Sequence, residues 1–282
     1  MSKRLTFPSA AKGAGRVRYG AAMALYAEGK ISADQLEVYR ICSALDAQDP
    51  AAVFAERRVP MPNLPAPYPQ TLILTLVEEA DLYLATLPGP GVAEVRAALS
   101  PWRGSPCQPA PGPANDIVAR YLPEALAKAA TTGPSLAAAL VAAAPHLHWI
   151  TYDLYDPAQI GAAFAQGHAY ASLVGEAAPI TARDFDLGVF LIAPHVLYRD
   201  HAHAAPELYA PLTGPHGWRF GPGTPLQVKP AHQPIWNPPH QPHMTKVGPV
   251  PFLCLFAWTR DVNAPAYVLS AADWPALEAL GL

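Results

Sequence analysis

The chain has 282 residues, enough to bury a sizeable core as one large domain or two modest ones. Its 19 Lys+Arg against 22 Asp+Glu leave a net charge of −3, with no basic excess to hold a nucleic-acid backbone or an anionic membrane surface. A small-molecule partner fits better. No charge-free, proline-free run of about 18 apolar residues occurs, and the N-terminal MSKRLTFPSAAKGAGRVRYG has basic residues but no apolar signal region, so the expectation is a soluble cytoplasmic protein. Cys42, Cys107 and Cys254 are odd in number and widely separated, which predicts free thiols and neither a disulfide framework nor a CxxC metal site.

Helical periodicity fills the first half. SADQLEVYRICSALDAQ (32–48) begins with Ser32 as a candidate N-cap. QTLILTLVEEADLYLATL (70–87), NDIVARYLPEALAKA (115–129) and SLAAALVAAA (135–144) repeat apolar residues at three and four. Four or five helices are expected before residue 145. Proline clusters in 59–69, 87–91 and 105–113 read as extended connectors between them. After Pro145 the pattern changes to short aromatic and β-branched runs, HLHWITYDLY (146–155), GVFLIAP (188–194), PLQV (225–228) and PFLCLFAW (251–258), separated by Gly/Pro turns. Such runs predict an antiparallel sandwich or barrel, interrupted by one helix around PAQIGAAFAQGHAYASLVG (157–175). The fold class is therefore α+β, a helical region (1–146) followed by a β-barrel domain (147–282).

The chemistry concentrates in YRDHAHAAPELYAPLTG (198–214). On an extended strand, side chains two apart share a face, so His201 and His203 point the same way, as do Glu207 and Tyr209. Burying two imidazoles and a carboxylate inside an apolar sheet without partners costs roughly several kcal/mol, and a divalent cation compensates them most directly. A further histidine comes from the following segment, with His232, His240 and His243 as candidates. His240 and His243 are an odd number of positions apart, so on one regular strand only one of them faces inward.

These residues resemble the cupin-fold dimethylsulfoniopropionate (DMSP) lyases. The cupin motif HxHxxxExxxxxxG is met by His201, His203, Glu207 and Gly214. The narrower likeness lies in LGVFLIAPHVLYRDHAHAAPELY (187–209), NPPHQPHM (237–244), PFLCLFAW (251–258) and, upstream, ASLVGEAAPI (171–180). It covers roughly 147–262. The resemblance implies a double-stranded β-helix barrel in which His201, His203, Glu207 and His243 hold one divalent metal ion. It further implies Tyr209 as the metal-proximal catalytic tyrosine, Tyr198 as a second active-site tyrosine and Trp258 as part of the substrate pocket. Two departures are visible: VKPAHQPIWNPP replaces the usual Pro-Gly turn of the second cupin motif, and Asn237 stands where a histidine is common.

The implied reaction is a metal-dependent carbon–sulfur β-elimination of DMSP to dimethyl sulfide and acrylate. Tyr209 is the first choice of base and Tyr198 the second, and a nearby cation is expected to lower the phenol's pKa. Trp218, Tyr198 and Trp258 are the aromatic faces available to a sulfonium cation. The competing readings are a ferrous cupin dioxygenase and a non-catalytic cupin that binds a metal or small ligand. His/Glu ligands accept zinc, iron, manganese, cobalt or nickel. A homodimer is compatible with the family, in which dimers are common.

Overall fold

The computed structural model describes residues 14–46, 48–64 and 67–282; the basic N-terminal stretch up to residue 13 lies outside them. Among the described residues, seven α-helices precede residue 145: α1 (Ala14–Ala27), α2 (Ala33–Cys42), α3 (Pro50–Arg57), α4 (Pro69–Leu84), α5 (Val92–Leu99), α6 (Asp116–Ala129) and α7 (Pro134–Ala143). Four of them answer the periodic segments. Ser32 caps α2 by a reciprocal box, its Oγ accepting from Gln35 N at 3.2 Å while Gln35 Oε1 accepts from Ser32 N at 2.8 Å. Asn115 caps α6 through Ile117 N and Val118 N. The expectation of four or five helices missed α1, α3 and α5. The last two are eight residues each, too short for a periodic signal, and are marked locally by the Asp49-Pro50 cap of α3 and by Gly91 at the start of α5.

The segment 157–175 departs from the expected single helix. It holds two one-turn helices, α8 (Pro157–Ile160) and α9 (Ala162–Ala165), then strand β1 (His168–Gly175). Gly161, at φ +91°, separates the two turns, and HAYASLVG then buries both faces of a strand. Of the run 146–155, only Ile150 pairs, bridging to Tyr170.

The remaining strands are β2 (Ile180–Thr181), β3 (Asp186–Ile192), β4 (Leu197–Ala202), β5 (Glu207–Pro211), β6 (His216–Arg219), β7 (Gln227–Lys229), β8 (Ile235–Asn237), β9 (His243–Val247), β10 (Phe252–Trp258) and β11 (Tyr267–Val268). They form a six-stranded sheet, β2-β1-β3-β10-β5-β8, and a five-stranded sheet, β11-β4-β9-β6-β7. Apart from the short parallel β1–β2 pair, the ladders are antiparallel. This is the double-stranded barrel of the cupin type, with strands running from His168 to Val268. A short C-terminal helix, α10 (Trp274–Ala279), is held to the barrel where Arg219 donates to Asp273 and Trp274 Nε1 donates to Asp200.

Alternation sorts each strand of the larger sheet into two cores. Leu187, Val189 and Leu191 of β3, with Leu253, Leu255 and Ala257 of β10, face outward and pack with α4–α7. Phe190 and Ile192, with Phe252, Cys254 and Phe256, face into the barrel. Burial on both faces explains why these strands read as continuous apolar runs. Helices α1–α3 bury a separate cluster around Tyr39, Cys42 and Phe54. The three cysteines are free, and no helix among the described residues is long and apolar enough to cross a membrane.

Candidate metal centre and its cavity

His201, next to last in β4, lies opposite His243, the first residue of β9. His203 follows in the loop to β5, and Glu207 opens β5. The ligand atoms of His201, His203 and His243 all lie within 4.8 Å of one another in the barrel interior, a group that could hold a metal ion. The three imidazoles are oriented the same way. Nδ1 of His201 meets Arg199 O, that of His203 meets Ala205 O and that of His243 meets Gln241 O, each at 2.8 Å. A carbonyl can only accept, so every Nδ1 carries its proton and every Nε2 is turned toward the common centre.

Those inward atoms are under-satisfied. Nε2 of His201 and of His243 is buried without a hydrogen-bond partner. Glu207 Oε2 lies 3.1 Å from His203 Nε2 and 3.3 Å from His243 Nε2, the second contact lacking hydrogen-bond geometry. Burial alone would raise the Glu207 carboxyl; the facing His203 and His243 outweigh it and hold the group well below the usual carboxylate range. Burial, then the neighbouring His243 and His203, pushes His201 well below the ordinary imidazole value. For His203 burial is overcome by Glu207, which raises it. The lone pairs of His201 and His243, His203 Nε2 once it gives up its proton, and the carboxylate all face one buried point and form a donor set that suits a divalent cation.

The third histidine of this group is placed by a turn. His240 N donates to His203 O at 2.8 Å and Gln241 N to Pro238 O at 3.0 Å, which folds 238–241 back and aims His243 inward. His240 sits in this turn at φ +58°, before the strand begins. The odd–even argument for a single strand therefore does not apply to it. His232 is elsewhere, bridging Tyr83 Oη at 2.9 Å and Thr132 Oγ1 at 2.7 Å and so tying helices to the barrel.

A cavity of about 280 Å³ opens on the centre and is lined by Tyr198, His203, Glu207, Tyr209 and Trp258. Tyr198 and His201 are three apart and belong on opposite faces of a regular strand, yet their rings stack at 3.9 Å. An irregularity in the β4–β9 register between these two residues turns both inward. Tyr198 also bonds Tyr155 Oη at 2.8 Å. Trp258 Nε1 donates to Glu207 Oε1 at 2.8 Å and Asn237 Nδ2 donates to Oε2 at 3.1 Å. Trp218, expected in the substrate pocket, lies behind His243, with its ring parallel at 6.0 Å and fully buried outside the cavity wall. It faces inward on β6, but His243 stands between it and the opening. Burial first, then the Glu207 carboxylate, pushes the Tyr209 phenol well above 10, a rise that the lowering expected of a bound cation would have to oppose. Burial also raises Tyr198 well above 10.

Sequence reasoning missed Tyr155, Asn237 in its role toward Glu207, and Asp186 on the cavity wall. Asp186 alone had a readable signal, being on the same alternating face of β3 as Phe190.

The model of the dimethylsulfoniopropionate lyase family matches residues 109–254, more than half of the chain. The chain belongs to the DMSP lyase family. DMSP lyases are carbon–sulfur lyases. The curated DMSP lyase DddQ of Ruegeria pomeroyi is 27% identical over 109 residues, which cover 39% of this chain and 54% of that protein. The chain thus spans about half the length of the curated relative it matches. Among solved structures, a chain from the crystal structures of the DMSP lyases RdDddP and RnDddQII matches with TM-score 0.56 and 23% identity, over 72% of this chain and 100% of that one. DMSP lyase DddQ from Ruegeria pomeroyi DSS-3 matches with TM-score 0.50 and 22% identity, over 70% and 96%. At these identities the structural matches establish a shared fold.

Proposed function

We propose that this protein cleaves DMSP to dimethyl sulfide and acrylate, with His201, His203, Glu207 and His243 holding one divalent metal ion and Tyr209 as the base. The observation that carries the reading is the set of three imidazoles, each tied through Nδ1 to a carbonyl, whose Nε2 atoms converge beside Glu207 at the end of a tyrosine-lined cavity. A bound cation supplies positive charge that stabilises a substrate carboxylate as negative charge develops beside it, and that offsets the Glu207 charge acting on Tyr209.

The residues then have distinct tasks. Trp258 and Asn237 hold Glu207 by its two oxygens, leaving the carboxylate no freedom to act as base. Tyr209 Oη, as phenolate, takes the proton from the carbon next to the substrate carboxylate. The C–H electron pair forms the carbon–carbon double bond while the C–S bond breaks with its pair to sulfur, so neutral dimethyl sulfide leaves and acrylate remains. Tyr198, stacked on His201 and bonded to Tyr155, orients the substrate. We also propose the division into a helical region (1–146) and a barrel domain (147–282), with α4–α7 covering the outer face of the larger sheet.

The deciding experiment is headspace detection of dimethyl sulfide after incubating purified, metal-loaded protein with DMSP. No dimethyl sulfide with any of zinc, iron, manganese, cobalt or nickel would refute the lyase reading. For the division, a 147–282 fragment that unfolds cooperatively on its own would support it, and one that stays unfolded would refute it.

A further inference from the structure

Asp186 lies at the cavity wall away from the histidines. Its Oδ2 accepts from Ser172 Oγ at 3.0 Å, while its Oδ1 is buried with no partner. Among the described residues it has no ion pair, and no Lys or Arg lines the cavity. Gly175 lets the carboxylate pack closely against β1, since a Cβ there would lie 3.1 Å from Oδ1. Aromatic residues complete the surroundings: Tyr170 and Phe256, with rings 5.9 Å apart edge to face, and Trp258, the registered neighbour of Asp186 on β10.

We infer that Asp186 and the surrounding aromatic faces form a recognition site for the cationic end of the substrate, a sulfonium or quaternary ammonium group, and that Asp186 determines the preference for a cationic over a neutral tail. The inference rests on the functional reading above and adds the specificity residue to it. A carboxylate with one buried, unpartnered oxygen and no counter-charge among aromatic faces is costly when the cavity is empty and is compensated by a weakly hydrated cation that makes no hydrogen bonds of its own. The register supports the span. Trp258 pairs with Asp186 on one side and with Glu207 on the other, and all three face the interior, so the two carboxylates are rooted two strand spacings apart, roughly 9–10 Å. A short zwitterion fits between them, with its carboxylate at the histidine cluster and its cation at Asp186. Burial pushes the Asp186 carboxyl up to about 7, the direction expected of a group with no counter-charge in the protein.

The test separates this inference from the lyase reading by measuring binding and not turnover. Two non-reacting probes, 3-(trimethylammonio)propionate and its uncharged-tail counterpart 4,4-dimethylpentanoate, are titrated calorimetrically into zinc-loaded protein at pH 8, where Asp186 is mostly ionised. The wild type should prefer the ammonium probe, and Asp186→Asn, which retains a partner for Ser172, should reduce that preference by at least about tenfold. Affinity for 4,4-dimethylpentanoate should be held or improved, and Asp186→Glu should keep part of the preference. An unchanged preference in Asp186→Asn, or no wild-type preference for the ammonium probe, overturns the inference. Loss of the preference in a protein that releases no dimethyl sulfide from DMSP would uphold the cation site while removing the lyase reading.

Discussion

At the scale of single residues, the centre depends on atoms that are individually costly. Tyr209 is buried beside Glu207, and its phenol is pushed up by both burial and that charge, so a role as base requires the positive charge that three neutral imidazoles can hold nearby. Tyr209→Phe keeps the ring's packing against Trp218 and Phe252 and removes only the proton acceptor. We expect kcat to fall by at least about 10²-fold with metal content retained; an undiminished rate would transfer the role to Tyr198 or to solvent. The proposed third ligand has an equally direct test. His243→Ala should lose the metal, whereas His240→Ala, in the rim turn, and His232→Ala, among the helices, should retain it by elemental analysis. The reverse order for His240 and His243 would mean that the turn at 238–241 is misassigned.

At the scale of elements, strand register selects which side chains meet. On β5 plain alternation turns Glu207 and Tyr209 inward and Leu208 and Ala210 toward the helices. On β4 alternation fails between Tyr198 and His201, where the irregularity restores a common face. The inner sheet surface is also constrained by close approach. A Cβ on Gly188 would lie 2.5 Å from Ala171 O and 2.5 Å from Phe256 Cε1. Of these, the ring can move but the backbone carbonyl of β1 cannot. Gly188→Val should therefore destabilise the protein by about 1–3 kcal/mol, read as a lowered urea midpoint, and should disturb the cavity wall through Phe256. A midpoint equal to that of the wild type would show that β1 and β3 can separate without cost.

At the scale of the whole molecule, buried titratable groups couple stability to pH in opposite senses. Burial pushes His168 and His216 down to about 4, from about 6.5 in the unfolded chain. Between these values the unfolded chain binds protons that the folded one does not, so stability falls as pH drops from 6.5 to 4, by up to roughly 3 kcal/mol for each group. Asp186 works the other way: with its pKa pushed up to about 7, against about 3.9 when unfolded, the folded state holds the extra proton and part of the loss is offset. Urea midpoints measured at pH 7 and pH 5 should thus fall more steeply for Asp186→Asn than for the wild type. Parallel falls would show that Asp186 titrates normally.

The sequence by itself determined the class of fold and most of the centre, because both rest on short-range periodicity. Apolar residues at three and four mark α2, α4, α6 and α7, and HxH with ExY brings out His201, His203, Glu207 and Tyr209 and gives Glu207 and Tyr209 one face of β5. The 157–175 segment was misread because its small residues suit helix and strand alike, and Gly161 and the pairing with β3 decide between them. Long-range contacts made the remaining choices. Only the folded chain brings the 238–241 turn onto His203 O and so selects His243. Only the folded chain puts Trp218 behind the ligands and sets Trp258 between Asp186 and Glu207, across strands some fifty to seventy positions apart. Those relations depend on which strands are neighbours and in what register, and no local pattern of residue types carries that information.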